Sequence, residues 1–335
     1  MKNKTNYYSG KKVVVTGSDG FIGSHLVEGL VRAGADVRAF CFYNSQGSWG
    51  WLDHSPAEIR ENVEFVLGDI RDKGFVEKAL KGVDTVFHLA ALIAIPYSYS
   101  APESFIDTNV RGTLNILEAS LKNRVERIVN TSTSEVYGTP DSVPITEEHR
   151  LKGQSPYSAS KIAADKLCEA YHCSFGLPVV TLRPFNTYGP RQSARAVIPT
   201  IISQLLSGKK ELRLGNLKPR RDLTFVSDTV DGFLKAGKAP RVEGEVVQLG
   251  TGKTYSIGDI AAMAMESLGV KARIINEKQR FRPKASEVMI LLSDPSKAKK
   301  LLGWEHKTDL MDGIGETASW LKENLKKYKT NIYQI

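Results

Sequence analysis

Lys12-Val13-Val14-Val15-Thr16-Gly17-Ser18-Asp19-Gly20-Phe21-Ile22-Gly23 sits near the start of a 335-residue chain. Its β-branched half predicts a short buried strand. Just downstream, Leu26, Leu30 and Ala33 recur at helical spacing and stop at Gly34, which predicts a helix from about Ser24. Three glycines fill the turn between. Gly17 permits the tight turn, Gly20 lets backbone approach a pyrophosphate, and Gly23 lets the helix pack closely on the strand. The helix N-terminus then becomes the phosphate site. The spacing is GxxGxxG and not GxGxxG. A glycine turn with no ligand is the bland alternative, and the flanking strand and helix favour a nucleotide. Asp19, Phe21 and Ile22 lie in the same turn and are cofactor-contact candidates with the glycines.

Outward from this turn, strand and helix alternate. Asp36 to Phe42 reads as a second strand. An acid that holds a ribose 2′-hydroxyl is expected about 20 residues past the glycines. The strand ends instead in Phe42-Tyr43-Asn44, so NAD is not assured and Arg38 leaves NADP open. The Ser45–Trp51 loop is either a packed surface loop or a wall of the ligand site. Val63 to Leu67 is a third strand, ending in Gly68-Asp69-Ile70; Asp69 can accept from an adenine amino group or cap the helix near Asp72. Thr85 to Ala91 is a fourth, in which His88 reads as a satisfied core residue and the small Ala90 and Ala91, with Leu89, let a cofactor lie against backbone. A long helix over Glu103–Asn123 precedes a fifth strand at Arg127–Asn130. This order predicts an α/β fold with a Rossmann-type, doubly wound parallel sheet.

Thr131-Ser132-Thr133-Ser134-Glu135 follows the fifth strand, and Tyr157 and Lys161 stand four residues apart beyond Pro156. If Pro156 opens a helix, both side chains share one face. A fixed ammonium beside a phenol favours the phenolate, which predicts a lowered Tyr157 pKa and a usable base. That helix runs to about Phe175 and stops at Gly176-Leu177-Pro178. Val179 to Leu182 is a sixth strand. Further helices are predicted at Ala196–Ser207, Asp228–Ala236, Ile257–Leu268, Pro295–Leu302 and Leu310–Lys326. Residues 1–190 are expected to form the dinucleotide-binding domain and 191–335 a smaller α/β substrate lobe, with some elements crossing between them.

Apolar residues make up 41% of the chain and charged residues 25%, ordinary for a globular protein. The net charge of +9 comes from residues spread along the chain. It reads as a solvated surface or as attraction for anionic nucleotides, and no basic arm points to nucleic acid. Cys41, Cys168 and Cys173 show no metal or disulfide spacing, so no metal is expected and a reducing cytoplasm fits. Residues 1–10 are polar, expected to be a frayed tail, and do not resemble a signal peptide. No apolar run approaches the roughly 18 residues of a membrane span.

Taken together, Gly17–Gly23, Asp69, His88–Ala91, Thr131–Gly138, Tyr157–Lys161 and Arg183–Arg191 resemble the extended short-chain dehydrogenase/reductase family across nearly the whole chain. Within it, Phe42–Ser45, Ala90–Tyr99 and Asn186–Pro199 are similar to the LegB-type 4,6-dehydratases, which act on a nucleotide-linked N-acetylglucosamine in the legionaminic acid route. The resemblance implies NAD (or NADP), tightly bound and recycled, against Gly17, Asp19, Gly20, Phe21, Ile22, Gly23, Asp69, Ile70, Leu89, Ala90, Ala91, Tyr157 and Lys161. It implies catalytic roles for Thr133, Ser134, Glu135, Tyr157 and Lys161. Tyr157 takes the C4 hydroxyl proton, and Glu135 takes the C5 hydrogen as water leaves C6. Several family dehydratases carry Asp where Ser134 stands, and a serine hydroxyl is far too weak an acid to replace it; GDP-mannose dehydratases share Thr-Ser-Glu, so Glu135 can serve as acid and base. UDP-glucuronate decarboxylases resemble the segment too, with Arg191 or Arg195 then holding a carboxylate, and a 4-epimerase is a further alternative. Asn186, Arg191, Arg221 and Arg282 match substrate-contact positions. The family usually forms homodimers through the helices at Glu103–Asn123 and Pro156–Phe175. Superfamily members that only bind cofactor typically lose the Tyr or Lys; both persist here, which points to an enzyme.

Overall fold

The computed structural model describes residues 6–328. Seven parallel strands form the main sheet. They comprise β1 (Lys12–Thr16), β2 (Asp36–Phe42), β3 (Val63–Gly68), β4 (Thr85–His88), β5 (Arg127–Thr131), β6 (Val179–Pro184) and the late strand Val246–Leu249. Their spatial order is late strand, β6, β5, β4, β1, β2, β3. The direction of strand addition reverses between β1 and β4, and in such sheets ligands bind in the crevice at that point.

Both faces of the sheet are covered, so the centres of its strands are mostly apolar. Val13 and Val15 point into one core with Leu26, Leu30, Val230 and Phe233, whereas Val14 and Val86 point into the other with Ile116, Leu117 and Ile128. The helix Phe21–Arg32 packs against the helix Val226–Lys238. The boundary near residue 190 is therefore crossed: that helix and the late strand belong to the sheet, while the short pairs Glu211–Leu214 with Arg273–Asn276 and Arg220–Arg221 with Ile290–Leu291 build the remainder.

Two local features differ from the sequence reading, and a third matches an alternative that it left open. The expected frayed tail is ordered in its described part: Tyr8 is buried and donates to the Leu234 carbonyl at 2.6 Å, while residues 1–5 lie outside the described residues. The long helix at 103–123 is interrupted by a π-helical segment, Ile106–Arg111. The Ser45–Trp51 loop is packed, with Trp49 stacked 3.8 Å from Phe65 and Trp51 edge-on to Trp320.

Candidate active site

The glycine turn fits a dinucleotide. Gly17 has φ +70°, and a Cβ there would lie 2.8 Å from the Ala90 nitrogen. A Cβ at Gly23 would collide with the Gly17 carbonyl, so the helix can approach the strand only without one. At Gly20, which caps Phe21–Arg32, a Cβ would meet only the Gly17 oxygen at 3.2 Å, and no side chain caps the helix. No acid stands in its first turn, so its free amides face a space suited to phosphate. Asp19 braces this turn: its Oδ1 accepts from the Phe42 amide at 3.3 Å and its carbonyl from the Trp51 amide at 3.1 Å.

His88 supports the opposite wall. Thr113 donates to the Asn109 carbonyl, so His88 Nε2 must donate to Thr113 Oγ1, 3.0 Å away. Its Nδ1 then accepts from Thr16 Oγ1 at 2.9 Å, and that oxygen accepts from the Leu89 and Ala90 amides, both at 3.1 Å. A neutral imidazole satisfies every bond, and burial pulls its pKa down to about 3. Sequence reasoning placed His88 in the core, and that is where it lies.

At the adenine end, one of the two readings of Asp69 falls away. Asp69 caps nothing; Asp72 caps the Lys73–Ala79 helix by accepting from Phe75. Asp69 instead receives the guanidinium fork of Arg71, with bonds of 2.6 to 3.0 Å, which holds its carboxyl below the usual range. Arg71 was not foreseen. Arg38 faces away from the cleft, donating to Glu64 at 2.8 Å and to the Ala79 carbonyl at 2.6 Å. It is therefore committed elsewhere and cannot serve a 2′-phosphate.

The chemical centre forms where β5 meets the helix Pro156–Phe175. That helix starts at a capping box in which Ser155 and Ser158 satisfy each other's amides, and this fixes Tyr157 in the first turn. Thr133 caps the 3₁₀ turn Ser134–Tyr137 by accepting from the Glu135 amide at 3.2 Å. Burial pushes the Tyr157 phenol up, with Glu135 and Asp165 adding to the rise, while Thr133 opposes it by favouring the ionised form. This corrects the expected depression. Lys161 is itself buried and pulled down by that burial; its Nζ donates to the Thr131 carbonyl at 2.6 Å and not to the phenol. Lys161 thus ties the helix to β5.

Asn109, in the π-helical segment, was also missed. Its amide bonds the backbone of Leu92 at 2.8 and 3.0 Å and Ser160 Oγ at 2.9 Å. It anchors the Leu89–Ile95 wall to the Tyr157 helix.

Charged groups close the other side. Arg221 is buried, with Nη2 3.6 Å from Glu287. Burial pulls its pKa down while Glu135 opposes the fall. Arg282 Nη1 lies 3.9 Å from Glu135 Oε1 and makes no hydrogen bond. Asn186 Oδ1 is buried and unpartnered within the protein. Two guanidiniums and an amide at one cleft wall suit diphosphate oxygens. Arg191 has φ +69° and donates to Glu28 Oε1 at 2.6 Å, so its main bond is to the glycine-turn helix.

The glycine turn, Asp69, the Thr133–Glu135 turn, Tyr157, Asn186, Arg221 and Arg282 line one cleft of about 1010 Å³. Every candidate cofactor, catalytic and substrate residue named from the sequence borders it except Lys161, which stands behind the Tyr157 wall. The arrangement offers a phenol, a carboxylate and two guanidiniums around a space for one extended nucleotide. Among the described residues, no cluster of His, Cys, Asp or Glu has the geometry of a metal site, and no helix is long and apolar enough to cross a membrane.

Known proteins share this design. Residues 14–317 match the protein family described as GDP-mannose 4,6 dehydratase. A dTDP-glucose 4,6-dehydratase of Actinoplanes sp. is 34% identical over 318 residues, covering 93% of this chain and 98% of the relative. A putative UDP-glucose 4-epimerase of Methanocaldococcus jannaschii is 33% identical over 321 residues, covering 93% and 99%. The crystal structure of the dTDP-glucose 4,6-dehydratase DesIV (a double mutant) from Streptomyces venezuelae, with NAD bound, superposes with a TM-score of 0.84 at 31% identity, covering 95% of this chain and 98% of that one.

Proposed function

The chain belongs to the GDP-mannose 4,6-dehydratase family of NAD-dependent nucleotide-sugar enzymes, and from that premise we propose that it converts an NDP-linked N-acetylglucosamine to its 4-keto-6-deoxy form. The observation that carries this reading is Glu135: a carboxylate bordering the same cleft as Tyr157 and Thr133. Tyr157 Oη accepts the proton of the sugar C4 hydroxyl, with Thr133 favouring the phenolate against burial and Lys161 holding the helix to β5. The Gly17–Gly23 turn would hold NAD, which would supply a reversible hydride store between C4 and C6 and end each turnover unchanged and tightly bound. Glu135 takes the C5 proton made acidic by the new ketone, and then passes it to the departing C6 hydroxyl, because Ser134 is too weak an acid for that task. The enolate left when hydride reaches C6 takes a proton at C5, which balances the one Tyr157 Oη removed from the C4 hydroxyl and restores the phenolate. Arg221, Arg282 and Asn186 hold the diphosphate.

The substrate assignment follows the LegB-type segments, which also make legionaminic acid biosynthesis the pathway of this reading. A plain 4-epimerase gives Glu135 no proton to remove, so its position against the cleft favours elimination. Decarboxylation of UDP-glucuronate needs a cation for the sugar carboxylate, and Arg191, one of two candidates, is paired with Glu28. A homodimer through the Pro102–Asn123 and Pro156–Phe175 segments completes the reading and is checked by light scattering.

The test incubates the protein with UDP- and GDP-N-acetylglucosamine, dTDP-glucose and UDP-glucuronate. Loss of water from a hexosamine nucleotide supports the reading. Water loss from dTDP-glucose alone would keep the reaction and change the substrate, and release of carbon dioxide would replace it with decarboxylation.

A further inference from the structure

Behind the Thr133–Glu135 turn lies a polar cluster that the chemistry above does not use. Asp165 stands one turn beyond Lys161 on the Pro156–Phe175 helix, on the same face. Its Oδ2 accepts from Ser132 Oγ at 2.7 Å and from Arg183 Nε and Nη2 at 3.2 and 3.0 Å. Arg183 Nη1 donates to Tyr137 Oη at 3.0 Å, and its guanidinium carbon lies 5.1 Å from the Tyr137 ring centre. Ser132, Tyr137, Asp165 and Arg183 are all buried. Ser132 directly precedes the catalytic turn, and Tyr137 ends it.

A buried ion pair contributes little net stability over apolar residues of the same volume. This one instead connects two segments whose relative position the chemistry depends on. We propose that Asp165 is a positioning residue that docks the Ser132–Tyr137 turn onto the helix carrying Tyr157 and Lys161, so that phenol and carboxylate face the sugar in one register. The same carboxylate has a second effect. Lys161 is pulled down by burial, and Asp165 is the foremost charge opposing that fall. The groups around Asp165 are Tyr157, Lys161 and Cys168 from its own helix, Arg183 from β6 and Tyr137 from the turn. Burial raises the Cys168 thiol and lifts the Tyr137 phenol to about 12, so both stay neutral near pH 7. Lys161 and Arg183 are the two cations that Asp165 balances.

The inference rests on the proposed function only as far as C4 oxidation by Tyr157, a step shared by dehydratase, epimerase and decarboxylase. The test compares Asp165→Asn, Asp165→Glu and Ser132→Ala with the parent by three readouts: the rate of C4 oxidation with UDP-N-acetylglucosamine, NAD binding, and hydrogen exchange of residues 132–138 in protein without cofactor. Asp165→Asn is expected to slow oxidation on the order of 10- to 100-fold through misplacement of the turn. KM and NAD affinity stay within about threefold. The alkaline limb of the rate profile moves to lower pH, because Lys161 loses its counter-charge. Exchange rises in 132–138 and not in β1–β4, and Asp165→Glu recovers part of the rate. Ser132→Ala leaves the Asp165–Arg183 pair whole and gives the same exchange signature with a smaller loss, which carries the test if Asp165→Asn does not fold. An unchanged pH profile and unchanged exchange in folded Asp165→Asn overturn the proposal, as does a Ser132→Ala protein indistinguishable from the parent. If the parent oxidises no nucleotide sugar, the functional reading fails, and the exchange readout still decides for or against Asp165.

Discussion

Arg282 Nη1 lies 3.9 Å from Glu135 Oε1, which places a guanidinium beside the carboxylate assigned to the C5 proton. Replacing Glu135 by Gln keeps the shape and removes the base. Dehydration by Glu135→Gln should fall about 10²- to 10⁴-fold. C4 oxidation should persist, so reduced nicotinamide accumulates on the enzyme and is seen by absorbance. Loss of both steps together would show that Glu135 is needed for folding or binding and not for elimination.

Tyr157→Phe removes one hydroxyl from a buried ring that packs edge-on against Phe105, 6.2 Å between centroids. The ring remains, so the wall should hold. Turnover should drop by about 10²- to 10⁴-fold with NAD affinity changed less than about threefold, measured by fluorescence titration. Retained turnover would remove Tyr157 from the chemistry.

Gly17→Ala tests the cradle. The side chain would be forced into φ +70° and pushed 2.8 Å from the Ala90 nitrogen. Strain of this kind costs on the order of 1–3 kcal/mol, and the clash displaces the wall a nucleotide needs. The variant should melt lower and bind NAD at least about tenfold more weakly. Unaltered NAD affinity would separate the glycine turn from the cofactor.

One buried and one half-buried histidine give the fold a pH dependence. Burial pulls His25 to about 4 and His88 to about 3, against about 6.5 in an unfolded chain. Between those limits the unfolded state binds protons that the folded state refuses, so stability is full above about pH 6.5 and falls as pH drops toward 4. The urea midpoint should be lower at about pH 5 than at about pH 7.5, and His25→Gln should flatten the slope. A midpoint constant across that window would contradict the buried, neutral assignment.

Much of this was legible in the residues because it is local. The runs ending at Thr16 and Phe42 mark strands whose observed bounds match the reading, and the three glycines are legible through the strand and helix that flank them. What escaped depends on partners far along the chain. The bond from Arg191 to Glu28 could not be read because it spans 163 residues. Arg38 looked available for a phosphate because Glu64 sits on the neighbouring strand, a pairing that only sheet order creates. Asn109 was invisible because its task needs a π-helical segment in an otherwise regular helix. The lowered Tyr157 pKa expected from Lys161 failed for another reason: charge spacing can be read from sequence, but the depth of burial that opposes it cannot.

The most direct measurement follows one hydrogen atom. UDP-N-acetylglucosamine carrying deuterium at C4 is turned over, and the product is examined by NMR. The deuterium should appear at C6 of a 4-keto-6-deoxy sugar, with no net gain of reduced cofactor. Deuterium retained at C4 of an inverted sugar, or reduced cofactor rising in step with product, would contradict the dehydratase assignment.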